Sequence, residues 1–114
     1  FITLSEDVIV DKDAKNIIFV ATRNITEDYE LVESGIILLK SYTKIEEKEI
    51  TLDTENIIVG KIKNNSTAQF YVRKLNVEEM DIWYARAYMI YKDSRGDFVT
   101  VYSKNIVETT LKDK

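Results

Sequence analysis

The chain has 114 residues, 45% of them apolar and 32% charged, and its 16 basic and 20 acidic side chains leave a formal net charge of −4. That length holds one core, so residues 1–114 are read as a single domain. Lys and Arg alternate with acids instead of clustering, which argues against nucleic acid as a partner, and no apolar run approaches the roughly 20 residues that span a bilayer.

Histidine and cysteine are both absent. Without histidine the commonest neutral-pH acid or base, the Ser-His-Asp triad and the usual zinc site are all missing. Without cysteine there is neither a disulfide framework nor thiol chemistry. Glu46-Glu47, Glu78-Glu79 and Asp11/Asp13 put carboxylates side by side in the sequence. Carboxylates that work as acid and base must instead face each other across a cleft in different environments, and solvated loop charge is the simpler reading. The expectation is a protein without catalytic residues, metal or cofactor. The chain opens on Phe1 with no charged-then-apolar leader, which reads as an excised or processed piece of something longer.

Turn residues recur at intervals of roughly ten positions, the rhythm of a sandwich or barrel. Phe1 to Val10 is apolar at both ends of Ser5-Glu6-Asp7 and predicts an edge strand broken by a bulge, followed by a polar turn at Asp11 to Lys15. Asn16 to Arg23 (NIIFVATR) is a nearly unbroken apolar run that predicts a central strand. Asn24 to Asp28 then reads as a hairpin-type connection into a strand over Tyr29 to Lys40, interrupted at Ser34-Gly35 by a bulge or a close backbone approach.

Ser41 to Lys48 can hold a short helical turn. Glu49 to Leu52 and Asn56 to Lys63 predict strands around Asp53-Thr54-Glu55, and Asn64 to Thr67 a turn. Ala68 to Leu75 (AQFYVRKL) alternates like a strand, and Asn76 to Ile82 is a loop. Trp83 to Ser103 is written as a long hairpin, two aromatic and β-branched runs flanking a polar tip. Ile106 to Leu111 closes the sheet and Lys112 to Lys114 frays.

Seven or eight antiparallel strands in this length favour an all-β, two-sheet immunoglobulin-like sandwich, with an up-and-down barrel as the alternative. In the last long strand Trp83, Ala85, Ala87 and Met89 share one face, while Tyr84, Arg86, Tyr88 and Ile90 share the other. The first set suits a sandwich interior, with Phe19, Leu38, Val59, Phe70 and Val72 around Trp83. Truncating Trp83 to alanine is expected to cost about 3 to 5 kcal/mol.

Several surfaces are candidates for binding. Tyr84, Arg86 and Tyr88, with Tyr102 or Thr100 across the hairpin, predict an exposed aromatic and cationic strip able to stack on sugars or grip a neighbouring domain. The competing reading is that these residues cover the core from the second sheet. Arg95-Gly96-Asp97 puts an RGD tripeptide at the hairpin tip, as integrin ligands do, although a turn there needs its glycine in any case. Asp93 with Asp97, and Asp11 and Asp13 with Asn16, each supply part of the six to eight oxygens that calcium takes; a plain turn is the simpler reading of both. Asn24-Ile25-Thr26 and the overlapping triplets from Asn64 and Asn65 match the glycosylation acceptor pattern, which turn residues reproduce by chance.

The segments YELVESGIILLKS, EITLDTENIIVGKIKNNSTAQFYVRKL and WYARAYMIYKDSRGDFVTVYSKNIVETT resemble immunoglobulin- or fibronectin III-like accessory modules of secreted or cell-wall-associated proteins of low-GC Gram-positive bacteria. The positions that carry the resemblance are Tyr29 and Gly35, then Leu52 to Thr54, then Ala85 to Tyr88, Tyr91, Asp93, Gly96 and Val101 to Ser103. It implies a spacer, stalk or interaction module at the cell surface or in the cell wall. Its partners would be neighbouring domains of the same polypeptide, cell-wall polysaccharide or a surface protein.

Overall fold

A computed structural model describes residues 1–62 and 68–111. Nine strands are present among them: β1 (Ile2–Leu4), β2 (Ile9–Asp11), β3 (Asn16–Arg23), β4 (Glu30–Lys40), β5 (Ile58–Ile62), β6 (Gln69–Lys74), β7 (Trp83–Lys92), β8 (Phe98–Tyr102) and β9 (Val107–Thr109). All pairings are antiparallel and fall into two sheets. In the first, β3 has β6 on one side and shares its other side between β1 and β2. In the second, the order is β5-β4-β7, and the far side of β7 is shared between β8 and β9. The two sheets pack face to face as an immunoglobulin-like β-sandwich, with one or two more strands than expected; the edge strand expected over Phe1 to Val10 is two strands, β1 and β2. The turn expected at Asn64 to Thr67, the glycosylation triplets within it and the frayed Lys112 to Lys114 lie outside the described residues.

Between the sheets lies one apolar core, to which the first sheet brings Ile17, Phe19, Phe70 and Val72, and the second brings Ile36, Leu38, Trp83 and Met89. Alternation along β7 sends Trp83, Ala85, Ala87 and Met89 inward, as their spacing requires. Val59 departs from expectation. It sits opposite Ile37 on the outer side of the second sheet, and Gly60 takes the inward position, where an added Cβ would stand 2.5 Å from Val72 of β6.

Two segments also differ from their expected form, and one of the two forms expected at Ser34-Gly35 is realised. Asn24 to Asp28 crosses from one sheet to the other and makes no hairpin, because both sides of β3 are already occupied. The bulge in β4 falls between Leu31 and Glu33, while Gly35 is a close approach, with an added Cβ only 2.2 Å from the Gly60 carbonyl oxygen. Glu49 to Leu52 is a 3-10 turn (Glu47–Glu49) running into a bend. The local reason is hydroxyl chemistry: Thr54 Oγ1 donates to the Glu49 carbonyl at 2.7 Å and accepts from the Thr51 amide at 2.9 Å, while Thr51 Oγ1 accepts from the Asp53 amide at 3.2 Å. Such side-chain bonds offer the backbone an alternative to a ladder.

Phe1 and Leu111 lie at opposite ends of the strands, in a body 46 × 26 × 19 Å across. Ile2 pairs with Arg23 at one end, where Phe1 and Asn24 also exchange backbone hydrogen bonds, and Thr109 pairs with Trp83 at the other. No helix among the described residues is long and apolar enough to cross a membrane.

Candidate functional site

Tyr84, Arg86, Tyr88 and Tyr102 do come together on the outer side of the second sheet, but they form no open strip. The chain between β4 and β5, Ser41 to Ile57, folds back over them, and its Ile45, Ile50, Leu52 and Ile57 close a second, smaller core with Ile37. Tyr84 is 4% exposed and Tyr88 is wholly buried. The surface expected here is therefore corrected to a roofed interior, and the reason is a connection long enough to supply its own apolar lid.

Arg86 is the pin of that roof. Its Nη1 donates to the carbonyls of Glu47 at 2.7 Å and Ile50 at 3.1 Å, its Nε donates to the Ser103 carbonyl at 2.8 Å, and its guanidinium lies 4.8 Å above the Tyr102 ring. Those bonds use three of its five N–H groups on backbone acceptors. The Tyr102 hydroxyl accepts the Leu52 amide at 3.1 Å, tying the other end of the lid to β8. Burial lowers the Arg86 pKa, while Glu47 and Tyr102 act in the opposite direction.

Tyr88 lies across Gly35 of the neighbouring strand, where any side chain would strike its ring, and its hydroxyl donates to the Glu33 carboxylate. Burial first, and then Glu33, raise the pKa of Tyr88 beyond the ordinary tyrosine range. Tyr84 is raised as well, by burial and then by its cross-strand neighbour Glu108. Both phenols are held as neutral packing groups with a hydrogen-bonding end. Thr100, the alternative cross-strand member, is exposed opposite Ile90.

At the hairpin tip the Asp93 carboxylate is already engaged. Its Oδ1 accepts the amides of Arg95 at 2.9 Å and Asp97 at 3.0 Å, and the Gly96 amide donates to the Asp93 carbonyl at 3.0 Å. Gly96 has a φ of +86°, the left-handed conformation that this kind of loop asks of a glycine. The side chains of Arg95 and Asp97 are 82% and 69% exposed and lean on each other at 4.0 Å. The tripeptide is thus presented at the tip, with its two charges folded together. In the β2–β3 turn Asp11 Oδ1 likewise accepts the Ala14 amide at 3.1 Å. Among the described residues no three acidic side chains gather into a metal-binding group.

One surface escaped sequence reasoning. On the outer side of the first sheet Ile9, Ile18, Val20 and Tyr71 lie together with Arg73 along a shallow groove of about 280 Å³. Tyr71 is 58% exposed and Ile9 is 55% exposed. The signal is present in NIIFVATR, whose apolar residues occupy both alternation phases; the run is central in its sheet, as expected, with its second apolar phase on the outer side. Only Ile17, Phe19 and Ala21 belong to the core.

Buried polar groups elsewhere serve the fold. Asp81 accepts the Tyr42 hydroxyl at 3.1 Å and the Glu78 amide at 3.0 Å, which closes the loop before β7. Ser103 Oγ accepts the Ala87 amide at 3.0 Å and donates to the Asn105 carbonyl at 2.9 Å, which steers the chain from β8 into β9. No family model, curated protein or solved structure matches this chain.

Proposed function

We propose that this domain is a non-catalytic structural spacer or interaction module of a larger extracellular, cell-surface protein of bacterial origin. The observation that carries the reading is the placement of Phe1 and Leu111 at opposite ends of the strands, the geometry in which a stiff sandwich adds length between neighbours. The resemblance of its β4 and β7–β8 segments to accessory modules of Gram-positive surface proteins supplies the compartment. Carbohydrate recognition through Tyr84, Arg86, Tyr88 and Tyr102 has no support, since the lid occupies their outer side.

The test is mechanical and chemical together. Stretched between its two ends, the domain should give one cooperative unfolding event, and on panels of peptidoglycan and polysaccharide it should be retained by none. Gradual yielding under low force, selective retention on a polysaccharide, or turnover of any substrate would overturn the reading.

A further inference from the structure

We propose that the outer face of the first sheet is a self-association surface that packs against the same face of a second copy of this chain, about a two-fold axis running along β3. The face has an apolar centre of Ile9, Ile18, Val20 and Tyr71. An exposed tyrosine and an arginine beside an apolar patch are residue types enriched at protein interface centres. A sugar platform would want aromatic rings with polar neighbours in place of Ile9, Ile18 and Val20.

Charge selects the occupant. The register sets Ile9, Ile18 and Arg73 in one row across the sheet, with Asp11 two residues further along β2. Asp11 therefore marks the β2 edge of the face and Arg73 the β6 edge, at neighbouring heights. A two-fold axis along β3 lays each copy's β2 over the other's β6, so Arg73 of one copy lies over Ile9 of the other, one same-face row from its Asp11 and within reach of a long side chain, twice per dimer. An in-plane axis across the strands would instead stack β2 on β2 and leave Asp11 without a cation. The self-complementary arrangement is the one a closed two-fold dimer requires. The same axis keeps the strands of the two copies parallel, so two chains would rise side by side. The inference goes beyond the spacer reading and does not depend on it, since a spacer can be monomeric.

Sedimentation and light scattering of the chain across a wide concentration range test the proposal. The mass should rise from 13.3 kDa toward twice that value. Tyr71→Ser and Arg73→Glu should each weaken association by about tenfold or more. Arg73→Glu combined with Asp11→Arg should restore it. Because the Asp11 carboxylate also accepts the Ala14 amide, Asp11→Asn, which keeps that acceptor and loses the charge, should weaken association with an unchanged melting temperature at concentrations too low for association. A monomer at every concentration, a dimer indifferent to Tyr71→Ser and Arg73→Glu, or a folded double reversal that stays monomeric would overturn the proposal. So would a monomer whose Tyr71 is protected by a peptide or a polysaccharide, which would assign the face to that occupant.

Discussion

The outer face of the second sheet is roofed by its own chain, whereas the outer face of the first sheet meets solvent. Both faces present a tyrosine and an arginine two residues apart on one strand: Tyr84 and Arg86 on β7, Tyr71 and Arg73 on β6. On β7 the arginine is bonded to three backbone carbonyls and the tyrosine is buried. On β6 the tyrosine is more than half exposed. The pair of residue types does not decide its role. What decides it is whether a connection long enough to carry Ile45, Ile50, Leu52 and Ile57 lies above.

Four substitutions or conditions probe that contrast. The largest effect is expected from Arg86→Met, which keeps the packing stem, takes the guanidinium away from the carbonyls of Ile50 and Ser103, and leaves the Glu47 carbonyl with the Ile50 amide. The loss should be about 3 kcal/mol, the upper range for charge-assisted hydrogen bonds, read as a lower denaturant midpoint, with faster proteolysis between Ser41 and Ile57. Gly35→Ala is next. Its Cβ would meet the Gly60 carbonyl at 2.2 Å and the Tyr88 ring at 2.8 Å, and overpacking of this kind costs about 1 to 3 kcal/mol. Unchanged stability would show that the roofed face can open to admit a methyl group.

Alkaline pH should act more gently, through the two buried tyrosines of the roofed side. An unfolded tyrosine ionises near pH 10, while burial keeps Tyr84 and Tyr88 protonated to higher pH in the fold. Below about pH 10 both states hold these protons and stability does not depend on them. Above it the unfolded chain releases protons that the folded chain keeps, so stability falls as pH rises. Denaturation midpoints followed through that range should decline, and Tyr88→Phe should flatten the decline. The smallest effect belongs to the bare side: Tyr71→Ser should change monomer stability by no more than about 0.5 kcal/mol, measured at concentrations too low for association.

Much of the fold was legible because a strand writes its faces in alternate residues. Asn16 to Arg23 is a strand at the bounds expected, Trp83 to Ser103 is the expected hairpin, and Trp83, Ala85, Ala87 and Met89 face the core. The break after Leu4 was legible too, while the helical turn expected within Ser41 to Lys48 falls at its end, at Glu47–Glu49. Less legible was everything that depends on which sheet a strand joins: the cross-sheet path after Arg23, the outward side of Val59, and the bend at Glu49 to Leu52. The candidate strip shows the limit most clearly. Its members were grouped on one face correctly, yet they fill an interior.

By itself, then, the order of residues determined the strands, the inward residues of the long hairpin and the turn at Gly96, because each rests on neighbours two to five positions apart. Which of the two outward faces is dry was decided by the tertiary structure alone. That outcome depends on Arg86 reaching carbonyls some 36 to 39 residues earlier in the chain and on Tyr102 holding an amide 50 residues before it. Contacts at such separations leave no periodic trace in the sequence.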